Sequence, residues 1–356
     1  MLARLPRPLL LLITLAILAI SAWCLTIKPP PIRVAKKGGY TDVHLYKDIT
    51  EGMRQGQTYY QAAVATQRAH HYPLKPFITV RPPTLVWLAA HLGWRGVDAI
   101  AGVLVFIAAL CWFGASEIGL SFAERLGITT VVAGASAHAV FSTVLIALHE
   151  YLAGICIALA LAGVFAGKHR WGLPLLAAAL GLAVRELVLP FVLLALAFAL
   201  VERRWREAAA WGALVATFGL AMAFHAQAVN ALVLPGDITS PGWHAGQGFS
   251  AFLKAVIYTS YLAPLPQPVA LLMAMLPMVG WLALDGRRGA FCCLLVAGYA
   301  VMIAFFSRAD TFYWGAIMLP WYFIGYVLLP RAVLQLWGVA RGKPGSFVIG
   351  KKPASL

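Results

Sequence analysis

The polar segment over residues 28–80 carries the side chains best suited to chemistry, and it separates two almost purely apolar runs. It contains Asp42, Tyr46 and Asp48. On a helix, Asp42 and Tyr46 share one face four residues apart, whereas Asp48 points about 120° away. Asp42 suits a general base that takes a proton from an attacking hydroxyl, with Tyr46 orienting it. The alternative is that Asp42 only caps the N-terminus of a helix.

Arg81 is the second candidate, because Pro82 and Pro83 follow it directly and an apolar stretch then runs to Trp87 and Leu88. Two prolines break an incoming helix and suit the first turn of a new one. They are expected to fix Arg81 at the level of the lipid headgroups. The fork of an arginine is suited to the phosphate of a lipid-linked substrate. The alternative is a positive side chain that only snorkels to lipid phosphate.

Charged pairs also interrupt or end apolar runs at three later places: His149-Glu150, Arg185-Glu186, and Arg308 with Asp310. Charged groups at such depth are costly and usually face protein or a water-filled cavity. We expect Glu150 to be a second acid in the same cavity as Asp42. A local ion pair is the alternative for Arg185 and for Arg308, and a water-exposed turn is the alternative for His149-Glu150. One histidine beside one glutamate is weak support for a metal.

Composition indicates that these groups belong to a membrane protein. The 356 residues are 61% hydrophobic and 12% charged, with a mean hydropathy of +0.80. A soluble domain has too little core for so many apolar side chains, so lipid must be the solvent for most of the chain. Apolar windows able to cross about 30 Å of hydrocarbon fall near residues 8–26, 97–115, 128–148, 151–167, 172–185, 187–201, 208–226, 266–284, 290–307 and 312–336.

These windows predict an all-α fold, a polytopic bundle of about ten transmembrane helices in one domain over residues 1–340. Tight turns near residues 149 and 186 leave room for one or two fewer helices. Long extracytoplasmic loops are predicted at 28–96, with short interfacial helices, and at 227–265. Residues 341–356 are predicted to be a basic cytoplasmic tail.

The lysines and arginines of the short connections predict that both termini are cytoplasmic. The two long loops and every unusual charged pair then share the outer side. Because the net charge of +15 is concentrated at span ends, we expect contact with membrane lipids and no nucleic-acid partner. The five cysteines lie in or beside apolar runs, without disulfide or metal spacing, and are predicted to be packing residues.

This combination resembles the GT-C superfamily of membrane glycosyltransferases that use polyprenyl-phosphate-linked sugars. The most similar group is that of protein O-mannosyltransferases and lipid A aminoarabinose transferases. In that group the first outer loop carries an acid, a tyrosine four residues later and a further acid, which Asp42, Tyr46 and Asp48 match. A basic residue, two prolines and an apolar segment ending in Trp-Leu follow, and the stretch from Arg81 to Leu88 matches these.

Looser matches extend the resemblance over about residues 8–336. Glu150 resembles a membrane-edge acid of the group, Arg185 its basic residue before a proline-containing helix, and Ser307-Arg308 with Tyr313 its C-terminal element. The chain departs from the group at Val43, where a second adjacent acid is common, and at Arg81, where lysine is common.

The resemblance implies a single inverting displacement at the periplasmic face of a bacterial inner membrane. A hydroxyl of a lipid, glycan or protein acceptor would attack the sugar while polyprenyl phosphate leaves. The implied catalytic residues are Asp42, as base, and Glu150. The implied substrate-binding residues are Tyr46, Asp48, Arg81, His149, Arg185, Arg308 and Tyr313. Arginines can offset the charge that grows on the phosphate, so no metal is expected to be obligatory, although a divalent cation stays an alternative.

Two functions from other classes are kept beside this one. The first is a transporter or flippase of lipid-linked saccharides, which would more often show paired repeats and broken helices at the bilayer midplane. The sequence has neither, and its charges lie at span ends. The second is an inactive subunit of an envelope-polysaccharide assembly, against which Asp42, Tyr46 and Arg81 argue.

Overall fold

The computed structural model describes residues 6–28, 39–115, 119–140, 146–165 and 171–340. Every regular element within these ranges is helical, apart from an isolated β-bridge between Lys75 and Thr239. The prediction of an all-α fold is confirmed for this part of the chain. The predicted cytoplasmic tail, residues 341–356, lies outside the described residues.

Fourteen α-helices lie in the described ranges: α1 (Arg7–Thr26), α2 (Asp42–Arg54), α3 (Tyr59–Ala69), α4 (Thr84–Phe113), α5 (Phe122–Val140), α6 (His149–Phe165), α7 (Gly172–Val184), α8 (Leu189–Val201), α9 (Trp205–Asn230), α10 (Phe249–Tyr258), α11 (Gln267–Trp281), α12 (Gly286–Phe306), α13 (Leu319–Tyr322) and α14 (Ile324–Ala340). Short 3₁₀ turns lie at Phe77–Thr79, Glu186–Val188 and Phe312–Ile317.

Several helices are long and apolar enough to span a membrane, which indicates a membrane protein. Among the described residues, four segments meet that standard by length and composition: Pro8–Thr26, Phe77–Phe113, Trp205–Asn230 and Gly286–Phe306. Other apolar helices are shorter. The helices α7 and α8 have 13 residues each, about 20 Å at 1.5 Å per residue, which is less than the hydrocarbon thickness. The predicted number of about ten spans is therefore not reached on this criterion.

Both predicted long loops contain more helix than expected. Residues 84–96 belong to α4, whose first part joins the rest through a kink at Gly93, where φ is 74°. The polar residues around this kink, Arg95 and Asp98, hide the continuity from a hydropathy window. In the second loop, residues 249–258 form α10, and its residues 250–257 are all buried. Ten residues are too few to register as a span.

The first loop does contain two short helices, each started by a threonine. Thr41 caps α2, where His44 Nδ1 lies 2.8 Å from the Thr41 hydroxyl and 3.2 Å from its backbone nitrogen. Thr58 caps α3 in the same reciprocal way with Gln61. Such boxes satisfy backbone donors that the first helical turn leaves unpaired. The buried face of α2 is lined by Leu45, Tyr46, Ile49 and Thr50.

The central element of the bundle is α6, which is buried over nearly all its length. It runs antiparallel to α7, and the two helices approach closely at glycines. A Cβ on Gly163 would lie 2.6 Å from Pro174, and one on Gly181 would lie 3.1 Å from Cys156. This pairing returns the end of α7 to the start of α6, so that His149 and the turn after α7 meet inside the protein.

The two long polar segments are joined to each other at the same end of the bundle. The Leu74 amide donates to the Ile238 carbonyl at 2.9 Å, and the Ser240 amide donates to the Lys75 carbonyl at 2.7 Å. Arg68 forms an ion pair with Asp237 at 2.6 Å. The two segments predicted to be outer loops therefore form one connected layer.

Candidate functional site

Four charged side chains form what we call the charge cluster, at the N-terminal end of α6: Glu150, Arg185, Glu186 and Arg81. The Arg185 side chain is fully buried; its Nη2 lies 2.7 Å from Glu150 Oε1 and its Nη1 lies 2.5 Å from Glu186 Oε1. The same Glu186 oxygen lies 3.6 Å from Arg81 Nη1. Two guanidinium groups and two carboxylates neutralise one another, which is the condition for holding charges away from water.

Local structure explains how these groups reach one another. Glu150 lies in the first turn of α6. Arg185 ends α7 with extended backbone (φ −153°, ψ 125°), and Glu186 begins the 3₁₀ turn that leads into α8. Arg81 stands just before the prolines that start α4. Three chain segments thus contribute to the cluster. The pairing of α6 with α7 brings Glu150 and Arg185 together.

The backbone at Arg81 is held by two side chains from other helices. The Tyr59 hydroxyl, on α3, donates to the Arg81 carbonyl at 2.6 Å. His225 Nε2, on α9, lies 2.9 Å from the Val80 carbonyl, and its Nδ1 lies 3.1 Å from the Tyr60 hydroxyl. A carbonyl only accepts, so Nε2 carries the proton and Nδ1 accepts from Tyr60. Residues 80 and 81 are therefore fixed against both α3 and α9.

His149 lies beside the charge cluster and is 1% exposed. Its ring packs edge-on against Tyr46, with 4.5 Å between centroids, and it interacts electrostatically with Arg185 and Arg81. Neither ring nitrogen makes a hydrogen bond of good geometry to a described residue, and the backbone of Ala147 is the one hydrogen-bonding group of the described structure that interacts with the ring. A neutral imidazole offers one donor and one acceptor, which is the complement of a hydroxyl group.

Asp42 is the first residue of α2, and Thr41, not Asp42, is the N-cap. The carboxylate is half-buried, and its Oδ1 accepts a hydrogen bond from the Tyr72 hydroxyl at 3.0 Å. Burial, together with the nearby negative charge of Asp42, raises the pKa of Tyr72, so this phenol remains a donor at physiological pH. Asp42 is therefore not the cap of this helix, and its carboxylate is instead bonded to Tyr72.

Two tyrosines interact electrostatically with both Asp42 and the charge cluster. Tyr46 interacts electrostatically with Asp42, Glu150 and the two arginines of the cluster, and burial raises its pKa. Tyr313, in the 3₁₀ turn after α12, interacts with Asp42, Arg81 and Glu150. Both phenols therefore lie within electrostatic range of the candidate base and of the cations.

Two residues predicted to bind substrate lie outside this group. Asp48 is exposed, accepts from the Tyr40 hydroxyl at 2.6 Å and lies 3.9 Å from His70. Arg308 pairs with Asp310 at 3.0 Å and donates to the Gly242 carbonyl at 2.8 Å. Arg308 therefore holds the second long segment in place. Its pairing with Asp310 is the local ion pair that was the alternative to substrate binding.

The groups that sequence reasoning missed are Glu186, Tyr59, Tyr60, Tyr72 and His225. Glu186 had a signal, since its charge interrupts an apolar run, but it was read only as a partner of Arg185. His225 also had one, a titratable residue within the apolar α9. Tyr59 and Tyr60 stand in a stretch, 56–60, that also resembles the GT-C group, but no signal indicated the contacts of the three tyrosines, which span 22 to 165 residues of sequence.

Within the described ranges, no group of three or more histidines, cysteines and acids is arranged to hold a metal ion. All five cysteines are free, and each is buried or half-buried. No protein-family model matches the chain, and no curated protein or solved structure shows significant similarity to it.

Proposed function

We propose that this protein is an integral-membrane glycosyltransferase of GT-C type. It moves a sugar from a polyprenyl-phosphate-linked donor to an acceptor hydroxyl at the extracytoplasmic membrane face, by an inverting displacement. The observation that carries this proposal is the charge cluster, with the buried His149 next to it and with Tyr46 and Tyr313 each interacting electrostatically with both Asp42 and the cluster. The resemblance of the first outer segment to the GT-C group supports the same conclusion.

The donor phosphate is assigned to Arg81 among the three candidate arginines. Arg185 is fully buried between two carboxylates, and Arg308 is engaged by Asp310 and by the backbone of the second long segment. The Arg81 side chain is 15% exposed, and its contact with Glu186 is 3.6 Å, beyond a normal hydrogen bond. Its guanidinium therefore has donors left for a phosphate.

Asp42 is assigned the role of general base. In the proposed step the acceptor oxygen bonds to the anomeric carbon and passes its proton to Asp42, while the bond from that carbon to the phosphate oxygen breaks. The leaving polyprenyl phosphate gains one negative charge, which Arg81 offsets. Preorganised cations of this kind contribute several kcal/mol where water is excluded. Tyr72 holds the Asp42 carboxylate through its hydrogen bond.

His149 and Glu150 are assigned to the sugar or to the acceptor. Both interact with Arg185 and Tyr46, and the imidazole, whose nitrogens make no hydrogen bond of good geometry, suits a sugar hydroxyl that both donates and accepts. Glu150 keeps one oxygen in contact with Arg185. In this scheme it therefore positions the sugar or the acceptor and does not exchange a proton with it.

A transporter of lipid-linked saccharide is the second candidate, and one observation favours keeping it. The polar turn at Arg185 and Glu186 separates α7 from α8, and each of these helices is too short to cross the membrane alone. Interrupted helices of this kind occur at transporter sites. Against it, the charged groups collect at one end of the bundle, next to a half-buried carboxylate held as a base would be.

The test is transfer by purified protein in nanodiscs, supplied with a panel of polyprenyl-phosphate sugars and a membrane-lipid extract as acceptor. The wild type is compared with Asp42→Asn and with Glu51→Gln, a matched control on the same helix that is exposed and has no predicted role. Product from wild type and Glu51→Gln but not from Asp42→Asn supports the proposal. Equal product from all three overturns the role of Asp42. Bound donor without product from any of them favours transport.

A further inference from the structure

Glu186 stands between the two arginines of the charge cluster. One carboxylate oxygen, Oε1, lies 2.5 Å from Arg185 and 3.6 Å from Arg81. The other oxygen, Oε2, is buried and has no hydrogen-bond partner among the described residues. A carboxylate with two oxygens between two guanidinium groups occupies the kind of position in which a phosphate binds arginines.

The two contacts of Glu186 differ in strength. Its contact with Arg185 is a short charge-assisted hydrogen bond, and Arg185 has Glu150 as a second partner. Its contact with Arg81 is longer than a hydrogen bond, and the only other bond of the Arg81 guanidinium in the described structure is a 3.3 Å one to the Ile78 carbonyl. The contact between Glu186 and Arg81 is therefore the one that an incoming anion can replace.

We infer that Glu186 is an internal anion that competes with the donor phosphate for Arg81. This inference rests on the proposed function, and it adds a control over binding to that site. Glu186 neutralises Arg81 while no ligand is bound, and it opposes the phosphate when the ligand is present. The opposition is stronger for the leaving lipid monophosphate, which carries more charge than the donor diester, so Glu186 favours release of that product.

The competition makes a prediction opposite in sign to that of a purely structural role. If Glu186 only held the arginines in place, its neutralisation would weaken phosphate binding. If it competes, Glu186→Gln removes a negative charge close to the phosphate and strengthens binding by at least about tenfold, the factor for unit charges about 12 Å apart at an effective dielectric constant near 20. Glutamine keeps the shape and one acceptor oxygen, so Arg185 retains a partner.

The experiment measures the Kd of a short-chain isoprenyl monophosphate for purified protein in detergent, with the corresponding isoprenol as the uncharged reference. Wild type is compared with Glu186→Gln and with Glu51→Gln, which removes the same charge from an exposed position on α2. Tighter monophosphate binding by Glu186→Gln alone, with isoprenol binding unchanged, supports the inference. Unchanged or weaker monophosphate binding by folded Glu186→Gln overturns it.

A second variant covers the case in which Glu186→Gln does not fold. Glu186→Asp keeps the charge but shortens the side chain, so the carboxylate stays with Arg185 and withdraws from Arg81. It should bind the monophosphate more tightly than wild type does, and equal or weaker binding overturns the inference. If wild type does not prefer the monophosphate to the isoprenol, the proposed function itself fails. If wild type shows that preference and neither variant binds more tightly, only the role of Glu186 fails.

Discussion

The Tyr72 hydroxyl donates a 3.0 Å hydrogen bond to Oδ1 of Asp42, so the candidate base is oriented by a residue 30 positions later in the chain. The bond leaves Asp42 Oδ2 for a reacting hydroxyl. It also ties the start of α2 to the segment that follows α3. The side chain best placed for proton transfer is therefore held by the fold of the first polar segment.

Removing this bond should slow transfer without affecting donor binding. We expect Tyr72→Phe to lower kcat by about tenfold, because a hydrogen bond to a charged group contributes about 1.5–3 kcal/mol and the carboxylate loses its orientation. The KM for the donor should stay within about twofold. Steady-state transfer kinetics checks this, with Tyr40→Phe, which removes a hydroxyl bonded to the exposed Asp48, as the matched control. An unchanged kcat would contradict the role of Tyr72.

Substitution of Arg81 should impair use of the donor. We expect Arg81→Ala to lower kcat/KM for the lipid-linked donor by about a hundredfold, since breaking a desolvated charge contact costs 2–5 kcal/mol, and to change the acceptor KM little. Arg81→Lys should recover part of the loss, because it keeps the charge but not the fork. Kinetics in which the donor and the acceptor concentrations are varied separately distinguishes an effect on donor use from an effect on acceptor use. Equal losses for both substrates would argue against a phosphate role. Arg206→Ala, exposed at the start of α9, is the control.

The ion pair between the two long segments should remain stabilising in mild acid. The hydrogen bonds from Arg68 lower the pKa of Asp237 from its ordinary value to about 2. Because the folded state binds this proton less readily than the unfolded state, the stabilisation is complete above about pH 4 and declines only as the pH falls toward 2. Thermal unfolding in detergent should therefore show a lower Tm for Asp237→Asn than for wild type at pH 7. The difference should shrink below pH 4, and a constant difference down to pH 2 would contradict the assignment.

Orientation in the membrane can be tested with single cysteines. Glu51→Cys, on the exposed face of α2, should react with an impermeant maleimide in intact cells, whereas Arg206→Cys should react only after the membrane is opened. Glu51 is the better position than the neighbouring Thr50, which is 1% exposed. The parent protein, whose cysteines are buried or half-buried, measures the background. The reverse labelling pattern would invert the predicted topology and with it the extracytoplasmic site.

Sequence reasoning predicted the helical class because composition and apolar windows depend on the amino-acid types alone. It misjudged where helices begin and end. Arg95 and Asp98, which flank the kink at Gly93 on its C-terminal side, hide the continuity of α4 from a hydropathy window, and α10 is too short to register as a span. The helices α7 and α8 were expected to cross the membrane because the windows at 172–185 and 187–201 were judged by their apolar composition, although each is shorter than a full span and the structure ends the helices within them.

The candidate site was predictable to the extent that charge in an apolar run is conspicuous. Glu150, Arg185 and Arg81 were each named, and the structure brings them together. Asp48 was named from the acid and tyrosine pattern of the first polar segment, and Arg308 as a charge at the end of an apolar run. Both lie elsewhere, because residue type does not reveal the nearer partners Tyr40 and Asp310. The supporting contacts of Tyr59, Tyr72 and His225 join distant segments, and these depend on tertiary packing.

The central claim is that Arg81 holds the donor phosphate next to Asp42. The most direct measurement is an electron cryo-microscopy structure of the protein in nanodiscs with a non-cleavable polyprenyl-phosphonate sugar. We expect a phosphonate oxygen about 2.7–2.9 Å from the Arg81 guanidinium, the distance of a charge-assisted hydrogen bond, with the anomeric carbon on the side of Asp42. A phosphonate bound away from Arg81, or a sugar with Asp42 out of reach of its anomeric face, would contradict the account.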